Sequence, residues 1–111
     1  MNIKPSTAEA QIRLRLDSDA LITQDLESAI EQAYAQTLTM LDRSALHENT
    51  AQLEAALEVD PLHTGMVCTA DIIAAQLLLV DALIGANSLK DRDEKSKAAL
   101  YILYPHRRLG V

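Results

Sequence analysis

The sequence predicts an all-α fold: a small four-helix domain with a long irregular connection between helices 2 and 3 and an extended C-terminal tail. The 111 residues include many alanines but only three glycines and three prolines, a composition that favours helix over strand. Hydrophobic residues make up 49% of the chain, which is enough for a folded core. Apolar residues also recur at three- and four-residue steps, the spacing of one helix face.

A capping signal marks the start of the first helix. Ser6 and Glu9 lie three residues apart. At this spacing an N-cap side chain and a side chain at the third helical position bind each other's backbone amides. We expect this helix to run to about Leu16, because a polar turn over residues 17–19 follows it.

The second helix, predicted from about Ala20 to Arg43, has the clearest periodicity. An apolar stripe runs along one side of it, and most of its charged side chains lie off that stripe. The stripe consists of Ile22, Leu26, Ala29, Ile30, Ala33, Thr37, Leu38 and Leu41. We therefore expect a long amphipathic helix with an acidic outer face.

Residues 44–68 show no clear periodicity, and we expect an irregular connection there. Asn49 could cap a short helix within it, which Pro61 would then end. The stretch from His63 to Val67 contains a glycine and is predicted to be a loop.

Two more helices are predicted in the second half of the chain. Thr69 is expected to cap the third, which is apolar almost all round and should be central in the fold or shared with a neighbour. A polar linker over residues 87–93 leads into a fourth helix over about residues 92–103. Pro105 should end this helix, so that the chain leaves the body in extended form.

The charge distribution argues against nucleic-acid binding. The net charge is −6: residues 1–60 carry four basic and eleven acidic side chains, and residues 61–111 carry six and five. Binding a phosphate backbone needs clustered lysine and arginine, which an acidic chain lacks.

The longest apolar run, from Ile72 to Ile84, would rise only about 20 Å as a helix, which is too short to cross a bilayer. We expect a soluble protein, made in the cytoplasm, without membrane contact.

No group of residues has the pattern of a catalytic or metal site. Cys68 could act as a nucleophile if His47 or His63 stood beside it, but a buried, unreactive cysteine is favoured. The histidines and Cys68 lack the paired spacing typical of zinc ligands. We therefore predict no catalytic residue, no cofactor and no metal, and a protein that is not an enzyme.

Charged residues in the second half have structural explanations. Asp81 lies in the apolar third helix, and an ion pair with a lysine or arginine of the fourth helix is favoured over acid catalysis. A subunit contact is the other possibility. The basic residues of positions 90–97 alternate with acidic ones, which favours a solvated helix start over a phosphate site.

The end of the chain combines apolar side chains with two arginines. Apolar residues that cannot fold on themselves need a surface to rest on, and arginine suits forked hydrogen bonds to a partner. The predicted partner interface consists of Tyr104, Pro105, His106, Arg107, Arg108 and Leu109. A frayed terminus is the alternative.

The chain carries a resemblance to one family at residues 21–46, 71–80 and 99–109. The family that these segments resemble is that of the phage head–tail connector proteins, also called adaptor or head-completion proteins. Residues 21–46 resemble the family's long early helix, which typically ends in an aromatic residue or leucine, a small polar residue, arginine and leucine. Residues 71–80, DIIAAQLLLV, resemble its apolar third helix. Residues 99–109, ALYILYPHRRL, resemble its closing segment, commonly two leucines, a proline, an aromatic residue and one or two arginines.

The resemblance implies a structural virion protein located at the head–tail junction. Its subunits would form a ring, of twelve copies in the virion, beneath the portal. This ring would extend the DNA channel and provide a platform for the next neck or tail protein, with DNA passing through without specific binding. On this interpretation residues 1–104 form the helical connector domain and residues 105–111 the extended tail.

A second interpretation does not involve a virion. The chain could be a free-standing bacterial helical module for protein–protein interaction, such as a small regulator or an antitoxin-like dimer. The particle size distinguishes the two hypotheses, because a connector forms a ring or joins portal rings, whereas such a module forms a compact dimer.

Overall fold

The computed structural model describes residues 3–14, 20–84 and 88–108, and it is predominantly helical. Its elements are α1 (Thr7–Leu14), α2 (Ala20–Leu41), β1 (Leu46–His47), α3 (Thr50–Val59), β2 (Met66–Val67), α4 (Ala70–Ile84), α5 (Leu89–Leu103) and a 3₁₀ turn (Tyr104–His106). The all-α prediction therefore describes the chain broadly. The described residues contain five α-helices, however, and not the predicted four, and they include two short strands.

The core is built around α4, which packs against α1, α2 and α5. The residues that α4 buries are Ile72, Ala75, Gln76, Leu79, Val80 and Ala82. This confirms that the apolar helix is central. From α2, the buried residues are Leu26, Ala29, Ile30, Ala33, Thr37 and Leu41, all members of the predicted stripe. The side chain of Ile22 and the predicted turn at residues 17–19 lie outside the described residues.

Side chains define where two of the helices begin. The amide of Glu9 donates to Ser6 Oγ at 3.1 Å, and the amide of Ser6 donates to Glu9 Oε1 at 3.2 Å, which confirms the predicted capping box. A second box joins Ser88 and Asp91 in the same reciprocal way. It starts α5 at Leu89, so the predicted start near residue 92 was wrong.

The connection over residues 44–68 is more ordered than the sequence predicts. Asn49 accepts a hydrogen bond from the amide of Gln52 and caps α3, as expected. Within the predicted loop at residues 63–67, however, β2 pairs in parallel with β1. The amide of Cys68 donates to the carbonyl of His47 at 2.8 Å and continues this ladder. Backbone pairing thus orders a segment whose side chains carry no periodic signal.

Two polar contacts tie other parts of the chain to α4. Lys95 Nζ of α5 lies 2.9 Å from Asp81 Oδ2 of α4. This confirms the ion pair that was predicted between the apolar helix and the helix that follows it. The fully buried Gln76 donates to the carbonyl oxygen of Ile3 at 2.8 Å and so holds the described start of the chain against the core.

Candidate functional site at the C-terminal segment

α2 ends at Leu41, two residues earlier than the sequence predicts, and a tight turn follows at Asp42. Asp42 has a φ of 55°, in the left-handed region that residues other than glycine rarely adopt. Its amide donates to the carbonyl of Thr39, and the amide of Arg43 donates to the carbonyl of Leu38, both at 3.2 Å. This is the Schellman pattern of helix termination. It leaves carbonyl groups at the end of α2 available to another part of the chain.

Arg108 binds the end of α2 with three hydrogen bonds. Its amide donates to the carbonyl of Leu41 at 3.0 Å, and its Nε donates to the carbonyl of Asp42 at 3.0 Å. Its Nη2 also lies 2.9 Å from the Asp42 carboxylate. This ion pair is half-exposed and contributes at most about 1 kcal/mol, but the two carbonyl contacts fix the direction of the chain.

Arg43 and Asp71 hold the residue two positions earlier, His106. Arg43 Nε donates to the carbonyl of His106 at 3.0 Å, and its Nη1 donates to the carbonyl of Thr64 at 3.3 Å. The Nε2 atom of His106 lies 2.6 Å from the Asp71 carboxylate in the first turn of α4. The end of α2, the connection before β2 and the start of α4 therefore all converge on the C-terminal segment, which we define as residues 104–108.

The Asp71 carboxylate is stabilised in its charged form. The pKa of this carboxyl lies below its ordinary value, first because the Thr69 hydroxyl donates a hydrogen bond to it and second because His106 does. Thr69 immediately precedes α4, as the sequence predicts. An anion at a helix start is also favoured by the helix dipole.

The C-terminal segment is not an extended tail over the described residues. Tyr104 has helical dihedral angles, and Pro105 lies at the start of a 3₁₀ turn, where its fixed φ fits and its missing amide costs nothing. The backbone becomes extended only at Arg107, whose φ and ψ are −64° and 137°. The prediction that the chain leaves the body in extended form after Tyr104 was therefore wrong for residues 105 and 106, which continue in a 3₁₀ turn. Arg108 does not leave the body either, because acceptors at the end of α2 hold it.

The six residues of the predicted partner interface have different environments. His106 and Arg108 bind the protein's own body. Tyr104 and Pro105 are exposed. The Arg107 guanidinium carbon lies 6.0 Å from the centre of the Tyr104 ring, and its buried Nε has no hydrogen-bond partner among the described residues. Leu109 lies outside the described residues.

Sequence reasoning did not assign Asp42, Arg43 or Asp71 to this site. The available signals were a charged pair directly after the last stripe residue of α2 and a carboxylate at the start of α4. Neither signal shows which charges meet, because Asp42 and Arg108 are 66 positions apart and come together only when the C-terminal segment turns back.

A second polar cluster contains two histidines. His47 Nε2 and His63 Nε2 are 2.8 Å apart, and Ser44 Oγ lies 3.5 Å from the other ring nitrogen of His63. A hydrogen bond between two imidazoles requires one neutral ring to accept it. Within residues 3–14, 20–84 and 88–108, no three histidine, cysteine, aspartate or glutamate side chains are grouped so as to hold a metal ion.

Cys68 is part of the core. It is buried, and burial raises the pKa of its thiol to about 11. At neutral pH the thiol is therefore protonated, whereas the thiolate is the nucleophilic form.

Two further findings bear on function. In the described part of the chain, no helix combines the length and the apolar character needed to cross a membrane. Comparisons with protein-family models, with curated proteins and with solved structures find no match to this chain.

Proposed function

We propose that this chain is a head–tail connector subunit of a phage virion. In this role it forms a ring beneath the portal, extends the DNA channel and supports the next neck or tail protein. The observation that carries the proposal is the meeting of the three segments that resemble the family. The closing segment at residues 106–108 binds both the end of the long helix, at residues 41–43, and the start of the apolar helix, at Asp71.

This arrangement suits a subunit that must present its closing segment to a partner in a fixed position. His106 and Arg108 hold the segment from the inside, and Tyr104 and Pro105 face outward. Ordering the segment in advance reduces the entropy that binding costs. The portal protein is the partner that the resemblance implies for this surface.

The acidic charge also supports the proposal. A protein of net charge −6 does not attract the phosphate backbone, and a channel subunit must let DNA slide. We expect the isolated chain not to bind duplex DNA at physiological salt. The proposal assigns no catalytic residue, cofactor or metal to the chain.

The test is to purify the chain together with the portal protein encoded beside its gene. Negative-stain images of the mixture should show portal rings with an added ring of density, and both proteins should sediment together. A compact dimer that does not bind the portal would contradict the proposal and favour the free-standing interaction module.

A further inference from the structure

The large apolar side chains exposed in the described part of the chain are concentrated in two places. One group is Leu57, Val59 and Leu62, and the other is Leu89, Leu100, Tyr101 and Tyr104; Ile12 is the one remaining member. The exposure of Val59 is 89% and that of Tyr101 is 83%. Single exposed apolar residues are ordinary, but two separate groups on so small a body indicate contact surfaces.

The first group lies at the end of α3. This helix has ten residues and buries none of them, and its main contacts are with the two short strands. A helix of this length is marginal in water unless another surface covers it. Residues 44–89 contain no lysine or arginine, and Glu54, Glu58 and Asp60 lie beside the exposed apolar residues. We call Glu54, Leu57, Glu58, Val59 and Leu62 the acidic end of α3.

Two members of the second group, Tyr101 and Tyr104, lie on the outer side of α5, whereas Leu89 and Leu100 lie on its flank. Lys90, Lys97, Tyr101 and Tyr104 follow one another at helical spacing on the side opposite the buried Ala99 and Leu103. Glu94 lies in the same row, and Lys97 Nζ forms an exposed ion pair with Asp93 at 2.9 Å. We call Lys90, Lys97, Tyr101 and Tyr104 the tyrosine face of α5. Its ammonium groups and phenol hydroxyls can all donate to carboxylates.

These two surfaces complement each other in chemistry. The acidic end of α3 presents carboxylates and aliphatic side chains, and the tyrosine face of α5 presents two ammonium groups and two phenol hydroxyls in a row that contains one carboxylate, Glu94. Two copies of the acidic end cannot pair with each other, because like charges would face each other. The surfaces also belong to different parts of the subunit, since α3 packs on the strands and α5 packs chiefly on α4.

We propose that the occupant of each surface is a second copy of this chain. The acidic end of α3 on one subunit binds the tyrosine face of α5 on the next. A contact between two different surfaces is head-to-tail, and it generates either a closed ring or an open filament. The closure into a ring rests on the proposed connector function, whereas the contact itself rests on the two surfaces.

Charge reversal with rescue tests this contact. Glu54→Lys with Glu58→Lys, or Lys90→Glu with Lys97→Glu, should each weaken self-association at least about tenfold, because each pair of changes replaces attraction between the two glutamates and the two lysines with repulsion. An equimolar mixture of the two variants should restore association, since reversed ends meet reversed faces and native ends meet native faces. Sedimentation velocity over a range of concentrations measures both effects.

A matched control changes net charge equally at another site. Asp25→Lys with Glu27→Lys reverses two exposed carboxylates on α2, so it should associate like the wild type. All the substituted side chains are exposed, and melting curves should confirm that every variant folds.

Cysteine cross-linking identifies the two surfaces directly. A chain with Glu58→Cys mixed with a chain with Lys97→Cys should form a disulfide-linked dimer under mild oxidation, many-fold faster than either chain alone. The native Cys68 is buried with a raised pKa and does not compete.

The possible outcomes separate this inference from the proposed function. A wild-type chain that stays monomeric at all concentrations, or mixed cysteine chains that link no faster than single ones, would overturn the head-to-tail contact. Wild-type rings on the portal that neither reversal disturbs would also overturn it, while leaving the connector function in place. Self-association through these surfaces without any binding to portal would uphold the contact and contradict the connector function.

Discussion

At the scale of single residues, two aspartates organise the corner that holds the C-terminal segment. Asp42 adopts a positive φ at the end of α2, and its carbonyl and carboxylate both accept hydrogen bonds from Arg108. Asp71 at the start of α4 accepts from Thr69 and His106. Residues in sparsely populated conformations persist only where their surroundings fix them, and here Arg108 contributes to fixing Asp42.

The hydrogen bonds of Asp71 predict how the pKa of its carboxyl changes when a donor is removed. Its pKa should rise in both Thr69→Val and His106→Ala, because hydrogen bonds from both side chains lower it. Titration of the carboxyl by nuclear magnetic resonance measures both shifts. A pKa that stays unchanged in either variant would contradict this assignment.

The same bonds predict the sign of a pH effect on stability. A carboxyl with a lowered folded-state pKa stabilises the fold above its unfolded value of about 4, and this contribution disappears as the pH falls through the folded value. Asp71→Asn should therefore destabilise the protein at pH 7 and lose its effect in strong acid. Because half of the side chain is exposed, we expect at most about 1 kcal/mol.

Gly65 provides a second prediction at this scale. A Cβ atom at this position would overlap His63 Nε2 and lie 2.7 Å from His47 Nε2. Gly65→Ala should therefore separate the two rings and cost about 1–3 kcal/mol in urea unfolding. The double variant with His63→Ala should lose less than the sum of the single changes, because the closer of the two clashes is then removed. Additive losses would show that the cost has another origin.

Apart from the local helix caps, contacts between single residues could be predicted from sequence only where burial demanded them. A carboxylate within an apolar helix needs a partner, and this reasoning correctly paired Asp81 with the helix that follows. The contacts of Asp42 with Arg108 and of Asp71 with His106 lie on the surface, where no burial penalty requires a particular partner. Local sequence therefore carries no information about them.

At the scale of elements, the long periodic helices were predictable and the short ones depended on their caps. The stripe of α2 extends over six turns, so a few exceptions do not hide it. The start of α5 depends on Ser88 and Asp91 alone, and the charged residues beyond them drew the predicted start to residue 92. The strands have two residues each, which is too short for any alternation to be recognised.

The caps of α3 and α5 should affect different quantities, namely the local opening of α3 and the global unfolding of the protein. Asn49→Ala should accelerate hydrogen exchange in α3 and change global stability little, because α3 buries no residue and can open alone. Ser88→Ala should lower global stability by about 1 kcal/mol, because α5 packs on α4 through Ala99 and Leu103. Exchange measurements and urea unfolding on both variants test this difference. Equal global losses would mean that α3 does not open independently of the core.

At the scale of the whole molecule, the described fold separates a conventional core from surfaces that the core does not use. The helices α1, α2 and α5 cover α4, whereas α3 and the outer side of α5 leave large apolar residues exposed. The sequence predicted the first feature through the apolar character of α4 on almost all sides and the periodic stripe of α2. It could not locate the second, because exposure depends on how α3 and α5 are oriented after packing. The proposed self-association gives both surfaces a partner.

The two neighbouring arginines of the C-terminal segment should separate folding from attachment to the portal. Arg108→Glu places a carboxylate against Asp42, so it should destabilise the protein by about 1–2 kcal/mol. This loss corresponds to a melting temperature at least about 4 °C lower. Arg107 forms no ion pair among the described residues and lies beside the exposed Tyr104. Arg107→Glu should therefore lower the melting temperature less than Arg108→Glu does, and it should abolish co-sedimentation with portal rings, because it reverses a charge beside the exposed Tyr104. Arg13→Glu, on the exposed side of α1, should change neither measurement.

If Arg108→Glu melts like the wild type, the contacts at Asp42 do not hold the segment. If Arg107→Glu still joins the portal, the outward surface of the segment is not the site of attachment.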